Sequence, residues 1–418
     1  MMHTNKKTLL AICFLSFLPI TFAQAQNTSI TSKDITVLEQ QANQGDANSQ
    51  LDLGLIYLTG QGKAADYTKA KEYFEKSANQ GNARAQDELG YMYYENRGGG
   101  IRDYTKAKEL FEKSIAQGDS RALADLGWMY YTGNGVPQDY DKAKELFEQS
   151  VSLGDARGQV NLGLMYYEGK ILPHNYVKSK ELFQKAIQQG YGRANNGLGL
   201  MYDEGKGVTK DYDKAKKLYE EAAKYGSTGA FNNLGLMYYD GHGVPQDYQK
   251  AMEYFLKALA MGYDATTVNI GLMYYEGKGV PQSYIKAKEL YEKAAELGGP
   301  EAQCNVGLMY VNGQGGPVNY VEGKRWLEKA AQQKNALAQF NLGAMYYNGN
   351  GVDEDVFQAK DWFEKAAAQN NADAQYALGV MYNDGNGVPK DINKAKEYFK
   401  QACINKNQQG CQSYGELQ

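Results

Sequence analysis

The stretch Asn233-Leu234-Gly235-Leu236-Met237-Tyr238-Tyr239-Asp240-Gly241-His242-Gly243-Val244-Pro245-Gln246-Asp247-Tyr248, continued by Lys250-Ala251, holds the reading of the whole chain. Its apolar-Gly pair recurs at Leu53-Gly54, Leu89-Gly90, Leu126-Gly127, Leu162-Gly163, Leu198-Gly199, Ile270-Gly271, Val306-Gly307, Leu342-Gly343, Leu378-Gly379 and Tyr414-Gly415. The step is 36 residues throughout, except for 37 between Gly90 and Gly127. A fixed step of roughly 20–50 residues marks a solenoid, a propeller or an array.

The content of one step selects the solenoid. A Tyr stands three residues after each of the first ten glycines, from Tyr57 to Tyr382. A small residue stands five before, such as Ala85, Ala122, Ala194, Ala230, Ala302, Ala338 or Ala374. These intervals predict a first helix of about a dozen residues. Glycines such as Gly133 and Gly135, or Gly205 and Gly207, end it with a C-cap and a turn. A second helix then opens on Asp66, Asp103, Asp139, Asn175, Asp211, Asp247, Ser283, Asn319, Asp355 or Asp391. Each is a good N-cap, because its side-chain oxygen accepts from free amides of the first turn. Apolar residues follow at helical spacing, as in Tyr140, Ala143, Leu146, Phe147 and Val151. Pro137, Pro173, Pro245, Pro281, Pro317 and Pro389 fall in the loop between the two helices, and Pro300 opens a helix at its first turn. The extra residue of the 37-residue step falls in the loop around Arg97-Gly98-Gly99-Gly100-Ile101.

Two short helices cannot bury their apolar faces alone, but stacked pairs share one core. The expected architecture is therefore an all-α solenoid of about ten helix-turn-helix repeats, continuous over residues 34–418. Half a unit precedes it at Asp34 to Gln44, and a truncated first helix closes it at Gly415.

Composition narrows the function. Of 418 residues, 43% are hydrophobic and 22% charged, which argues against disorder. The formal charge is −4, so there is no general attraction to nucleic acid or anionic lipid. Three His, one of them near the N-terminus, speak against a His-built metal centre, and no cofactor is expected. Residues 1–25 read as a signal peptide. Lys6-Lys7 start it, Leu9 to Phe22 is nearly all apolar, and Ala23-Gln24-Ala25 supplies a small-x-small cleavage site. The apolar run is shorter than the roughly 20 residues of a spanning helix. Residues 26–33 form a short segment before the repeats, and the mature chain is expected to be periplasmic or secreted, with no membrane span.

With the quoted stretch as its pattern, the repeat resembles the Sel-1-like repeat, a relative of the tetratricopeptide repeat. The resemblance runs from about residue 34 to the end. It implies a right-handed superhelix that serves as an adaptor or scaffold and binds a protein or peptide along its surface, here as a monomer. Local departures are Ile171 for the second loop glycine, Gly323 for the usual second-helix Ala, and Val356 and Ile392 for the usual Tyr.

Two columns are candidates for the partner site. Two residues before the glycine stand Asn161, Asn233, Asn269, Asn305 and Asn341; five after it stand Glu168, Glu204, Asp240 and Glu276. These offsets lie seven apart, so both columns share one face of the first helix. By analogy with related solenoids, that face lines the concave side. Asn amides can pair with an extended peptide backbone, and the acids favour a partner carrying Lys or Arg. The alternative is that these residues only stabilise stacking between units.

Other motifs are weaker. Gly199 to Gly205-Lys206 has five intervening residues where a phosphate loop needs four, and Gly207 stands where it needs Ser or Thr. Ser283-Tyr284-Ile285-Lys286 matches the Ser-x-x-Lys of penicillin-recognising enzymes, but Ser283 sits in the N-cap column and the companion motifs are absent from the sequence. A cell-envelope hydrolase or β-lactam-binding protein, as in cysteine-rich relatives, is the alternative that this match raises; a purely structural spacer is the other. No catalytic residue is assigned. Cys304 falls in the column of Leu51, Val160 and Phe340 and reads as a buried thiol. The spacing of Cys403 and Cys411 resembles that of the intra-unit disulfides of exported, cysteine-rich relatives, which implies a bridge there.

The leader has a direct consequence. N-terminal sequencing of the exported protein should read from Gln26; a main form that keeps Met1 would exclude export.

Overall fold

The computed structural model describes residues 32–60, 64–97, 102–169 and 173–417. The signal peptide expected at 1–25, the loop residues Gly98 to Ile101, and Ile171 lie outside the described residues. Among the described residues there are 22 α-helices and no strand. They begin with Ser32–Asn43, the expected half unit, and then alternate first and second helices from Ala47–Thr59 to Gln408–Glu416. The chain forms two compact bodies. One holds the described residues up to Met237 together with His242–Val244; the other holds Tyr238–Gly241 and Pro245 onward. Within each body a first helix packs on its own second helix and on the second helix of the preceding unit.

The second helices start where the sequence places them. In every one of the ten, the Asp, Asn or Ser named above is the N-cap, and its side chain accepts from an amide two or three residues on. The backbone N–H of the same residue donates to the carbonyl of the unit's Tyr, as in Asp139 to Tyr130 at 2.9 Å and Asp391 to Tyr382 at 2.9 Å. One residue thus closes the loop and opens the next helix.

First helices are capped by Asp46, Asn82, Asp119, Asp155, Asn335 and Asn371. Where Tyr191 and Tyr263 replace that residue, no side chain satisfies the free amides. The helix then starts late. Gly192–Ala194 forms a 3-10 turn before Asn195–Glu204, and the next unit but one begins only at Thr266.

The mid-helix glycines have a steric reason. A Cβ on Gly54 would stand 2.5 Å from the Phe74 ring, on Gly127 2.7 Å from Phe147, and on Gly199 2.6 Å from Tyr219. Hydrogen in place of a side chain lets the aromatic ring of the second helix lie on the first-helix backbone. Gly323 is explained the same way. Val311 takes the place of the Tyr four after the glycine, and a Cβ at 323 would stand 2.6 Å from a Val311 methyl. The second loop glycine needs both its left-handed backbone and its small size: Gly135 has φ 73° and a Cβ there would meet Tyr104 of the preceding unit at 2.2 Å.

Glutamines sew neighbouring units together. Gln375 Nε2 donates to the Ala367 carbonyl at 3.2 Å, while its Oε1 accepts from Asn405 Nδ2 at 2.9 Å. One unit later the same two positions are Cys411 and Cys403, and the structure bonds them, with Cα atoms 4.4 Å apart. A covalent link there takes the place of the glutamine's hydrogen bond. Cys304 is the free cysteine among the described residues, buried as expected, and burial pushes its thiol above the usual range.

Gly127→Ala should lower stability by about 1–3 kcal/mol through overpacking against Phe147. The exposed Gly316→Ala, where Lys288 Nζ at 3.6 Å is the one neighbour within 4 Å, should change little. Urea unfolding followed by circular dichroism compares them; equal effects would remove the steric reason.

Candidate partner-binding surface

The column two residues before the glycine has different surroundings in the two bodies. In the first body Asn161 and Asn233 are buried. Asn161 Nδ2 donates to the Ala124 carbonyl at 3.5 Å, and Asn233 Nδ2 donates to Asn196 Oδ1 at 2.9 Å, in each case reaching the preceding first helix. Glu88 and Asp125, which hold the same column position in earlier units, are buried as well. In the second body Asn269 is still buried, but Asn305 and Asn341 are half-exposed. Asn341 Nδ2 donates to the Leu337 carbonyl of its own helix at 2.8 Å. The Asn305 side chain has no hydrogen-bond partner among the described residues.

The acidic column is partly committed to its neighbours. Glu168 accepts from the Tyr131 hydroxyl of the preceding unit. Glu276 accepts from the Tyr239 hydroxyl and pairs with Lys278 at 2.6 Å. Glu204 is exposed and pairs with Lys206 at 2.5 Å, and Asp240 is exposed. Three of the four acids are thus paired within the chain.

The pattern reading missed the arginines. Arg84, Arg121, Arg157 and Arg193 stand six residues before four consecutive mid-helix glycines. The sequence did carry a signal: six of its seven arginines lie between residues 84 and 193. Arg157 is buried, with Nη1 2.7 Å from Asp125 and Nη2 3.2 Å from Asp87. Arg121 pairs with Asp119 at 2.5 Å and lies 3.9 Å from Asp87. Asp87 and Arg157 belong to units two apart. In a stack where each unit is expected to touch only its neighbours, this contact skips a unit. This ionic network joins the first helices of three consecutive units of the first body.

Burial raises Asp87, Glu88 and Asp125. Glu88 is pushed up to about 7, first by burial and then by the Asp87 charge, with Arg121, Arg157 and Arg84 opposing. Asp125 stands well above the usual carboxylate range for the same first reason. For Arg157, burial alone would lower the value, but Asp125 and Asp87 more than offset it.

In the second body the first-helix face is open. Leu337, Phe340, Asn341 and Ala344 on one helix, and Tyr376, Ala377 and Val380 on the next, are half-buried. The Phe340 ring lies 5.7 Å from Phe363, and Tyr376 5.7 Å from Phe399, so both rings are anchored from behind. Glu301 and the exposed Asp373 stand at the helix starts.

The Tyr three after the glycine has a partner the pattern did not show. Lys69 lies over the Tyr57 ring at 5.2 Å, Lys214 over Tyr202 at 4.2 Å and Lys394 over Tyr382 at 4.3 Å. Ser283 accepts from the Lys286 amide at 3.3 Å as an N-cap, and Lys286 Nζ lies 5.2 Å from the Tyr274 ring. His174 stacks on Tyr176, and His242 on Tyr212.

Tandem helical hairpins with in-phase caps, glycines and ring contacts define a helical-repeat protein. The family model described as Sel1 repeat matches residues 47–82, 83–119, 120–155, 156–191, 192–227, 230–263, 267–299, 300–335, 336–371 and 372–407. The chain belongs to the Sel1 repeat family, a scaffold family typical of protein interaction. It is similar to the crystal structure of a protective antigen present in uropathogenic Escherichia coli strains. That similarity runs at 32% identity over 92% of this chain and 82% of the antigen, with a TM-score of 0.50. A Sel1 repeat protein from Oxalobacter formigenes is 33% identical over 74% of this chain and 90% of its own, with a TM-score of 0.50. Comparison with curated proteins gives no match. No helix among the described residues is long and apolar enough to cross a membrane.

Glu88 gives a pH test. A carboxyl raised on folding contributes stability that is complete below its unfolded value and is lost as pH rises through about 7. Glu88→Gln fixes the neutral form. It should stabilise the protein at about pH 8, on the order of 1–3 kcal/mol, and change little near pH 4. Urea midpoints at both pH values decide; equal shifts would mean that Glu88 does not titrate there.

Proposed function

We propose that this chain is an exported repeat scaffold that holds an extended segment of a protein partner on the first-helix face of its second body. The observation that carries this reading is Asn305. Its amide is half-exposed and unpartnered, and it lies in one column with the half-exposed Asn341. An Asn side chain offers two donors and an acceptor, enough to pair with one stretch of peptide backbone. Phe340 and Tyr376, anchored from behind, supply apolar contact beside it. Glu301 and Asp373 favour a partner that also carries Lys or Arg.

The buried Asn161 and Asn233 take the stacking role in this reading, and the first body serves as a rigid support. The family's scaffold character supports the binding function. The bonded Cys403 and Cys411 support an oxidising compartment, in line with the leader.

The mature chain captures its partner from envelope and culture-medium fractions, and a variant with Asn305→Ala, Phe340→Ala and Tyr376→Ala is compared with it. A protein retained by the parent and lost by the variant, at matched helical content, is the expected result. Truncating two aromatic anchors and one amide should weaken binding by at least about tenfold. If every retained protein is retained equally by the variant, this face is not the binding surface.

A further inference from the structure

The first helices of the first body hold a charge arrangement that the proposed partner binding does not use. One guanidinium meets two carboxyls: Arg157 Nη1 lies 2.7 Å from Asp125 Oδ2, and Nη2 lies 3.2 Å from Asp87 Oδ2. The other oxygen of each carboxyl, Asp87 Oδ1 and Asp125 Oδ1, is buried and accepts from no N–H or O–H among the described residues. The two carboxyls are within hydrogen-bonding reach of each other.

An ionised carboxylate only accepts hydrogen bonds. Two of them side by side, out of water, repel and leave both inner oxygens orphaned. The surroundings do not remove the excess charge. From the Ala83–Glu95 helix, Glu88 faces Asp87, and Arg84 lies 3.9 Å from Glu88. From the Ser120–Thr132 helix, Arg121 lies 3.9 Å from Asp87 but its close partner is Asp119 at 2.5 Å. From the Ala156–Glu168 helix and its cap come Arg157 and Asp155. Around this group stand Tyr91, Tyr191 and Arg193; Tyr91 and Tyr191 both feel the Asp125 charge. Neither Asp87 Oδ1 nor Asp125 Oδ1 gains a donor from these neighbours, and one proton held between the two carboxyls supplies it.

We infer that Asp87 and Asp125 hold one proton between them, carried on Asp125 and donated to Asp87, and that this pair under Arg157 is a proton-operated clasp across three consecutive units. The burial that lifts Asp125 well above the usual carboxylate range agrees with this placement. Because Asp87 and Arg157 sit two units apart, the clasp fixes the curvature of the first body. Losing the proton puts two full charges on one guanidinium and loosens the contact between units. The sign follows from linkage: the proton is taken up on folding, so the clasp is complete at low pH and its stability is lost as pH rises through the pair's own value. Glu88 releases its proton earlier, near 7.

Infrared spectroscopy of the full chain at about pH 9 isolates the pair, since Glu88 is then ionised. The expected spectrum of the wild type keeps the carbonyl band of one protonated carboxyl. That band should survive in Glu88→Gln and disappear in Asp125→Asn. The Asn amide supplies the N–H that the acid supplied. Between about pH 8 and pH 9, above the range in which Glu88 titrates, the melting temperature of Asp125→Asn should therefore fall less than that of the wild type. A wild type without the band at pH 9 overturns the inference, as does a band that is lost in Glu88→Gln or kept in Asp125→Asn. If Asp125→Asn does not fold, the wild-type and Glu88→Gln spectra decide on their own.

Discussion

The contact on which the whole stack depends is an aromatic ring lying on the backbone of a helix. Phe74, Phe111, Phe147, Phe183, Tyr219, Tyr291, Phe363 and Phe399 each occupy the space that a side chain on the facing glycine would take. A mid-helix glycine is costly in isolation, by about 1 kcal/mol relative to Ala. The close approach offsets that cost, because these rings are among the most completely buried groups of the chain. Everything else is arranged around this distance. The small residue one turn earlier lets the neighbouring helix in, and the loop is closed by a backbone bond from N-cap to Tyr that needs the same spacing. Leu327 facing Gly307 shows the limit of the rule: an aliphatic group fills the same place, and Trp326 beside it is buried instead.

Much of this was legible in the residues. The glycine interval gave the unit, and the Asp, Asn or Ser column gave the start of each second helix, because capping is decided within three residues of sequence. The late starts of two first helices were legible in principle, since Tyr191 and Tyr263 stand where other units have a capping residue. The ionic network was not. It joins Asp87 to Arg157, 70 residues and two units apart. No local pattern reports a contact that exists only because the stack curves. Arginine clustering was the one trace of it, and that trace carries no partner assignment.

The candidate site divides along the same line. The Asn column was identified from its spacing, and the spacing is real, but periodicity says only that the residues share a helix face. Whether that face is open depends on what the neighbouring units place over it. Asn161 and Asn233 lie under neighbouring groups and bond the preceding helix, whereas Asn305 and Asn341 stay half-exposed. The acid column shows the same dependence. Glu168 and Glu276 each have a Tyr hydroxyl of the preceding unit within reach, so a residue that reads as a ligand contact also joins two units. A repeated residue type is therefore one tool used for two purposes.

Repeats held by nearest-neighbour contacts are in principle interchangeable. A unit can be duplicated or excised by unequal recombination, and its loop glycine will find an equivalent residue in whichever unit comes before it, as Gly135 finds Tyr104. The bond from Arg157 to Asp87 breaks that freedom. It measures two steps, so inserting or deleting a unit between them brings other side chains opposite the guanidinium. The stretch from Asp87 to Arg157 is consequently a counted segment, fixed in length by its own electrostatics, while Phe340, Tyr376 and their neighbours sit on units that carry no such bond. An array of this kind can acquire new binding surfaces by shuffling one part of its length while the other part keeps its register.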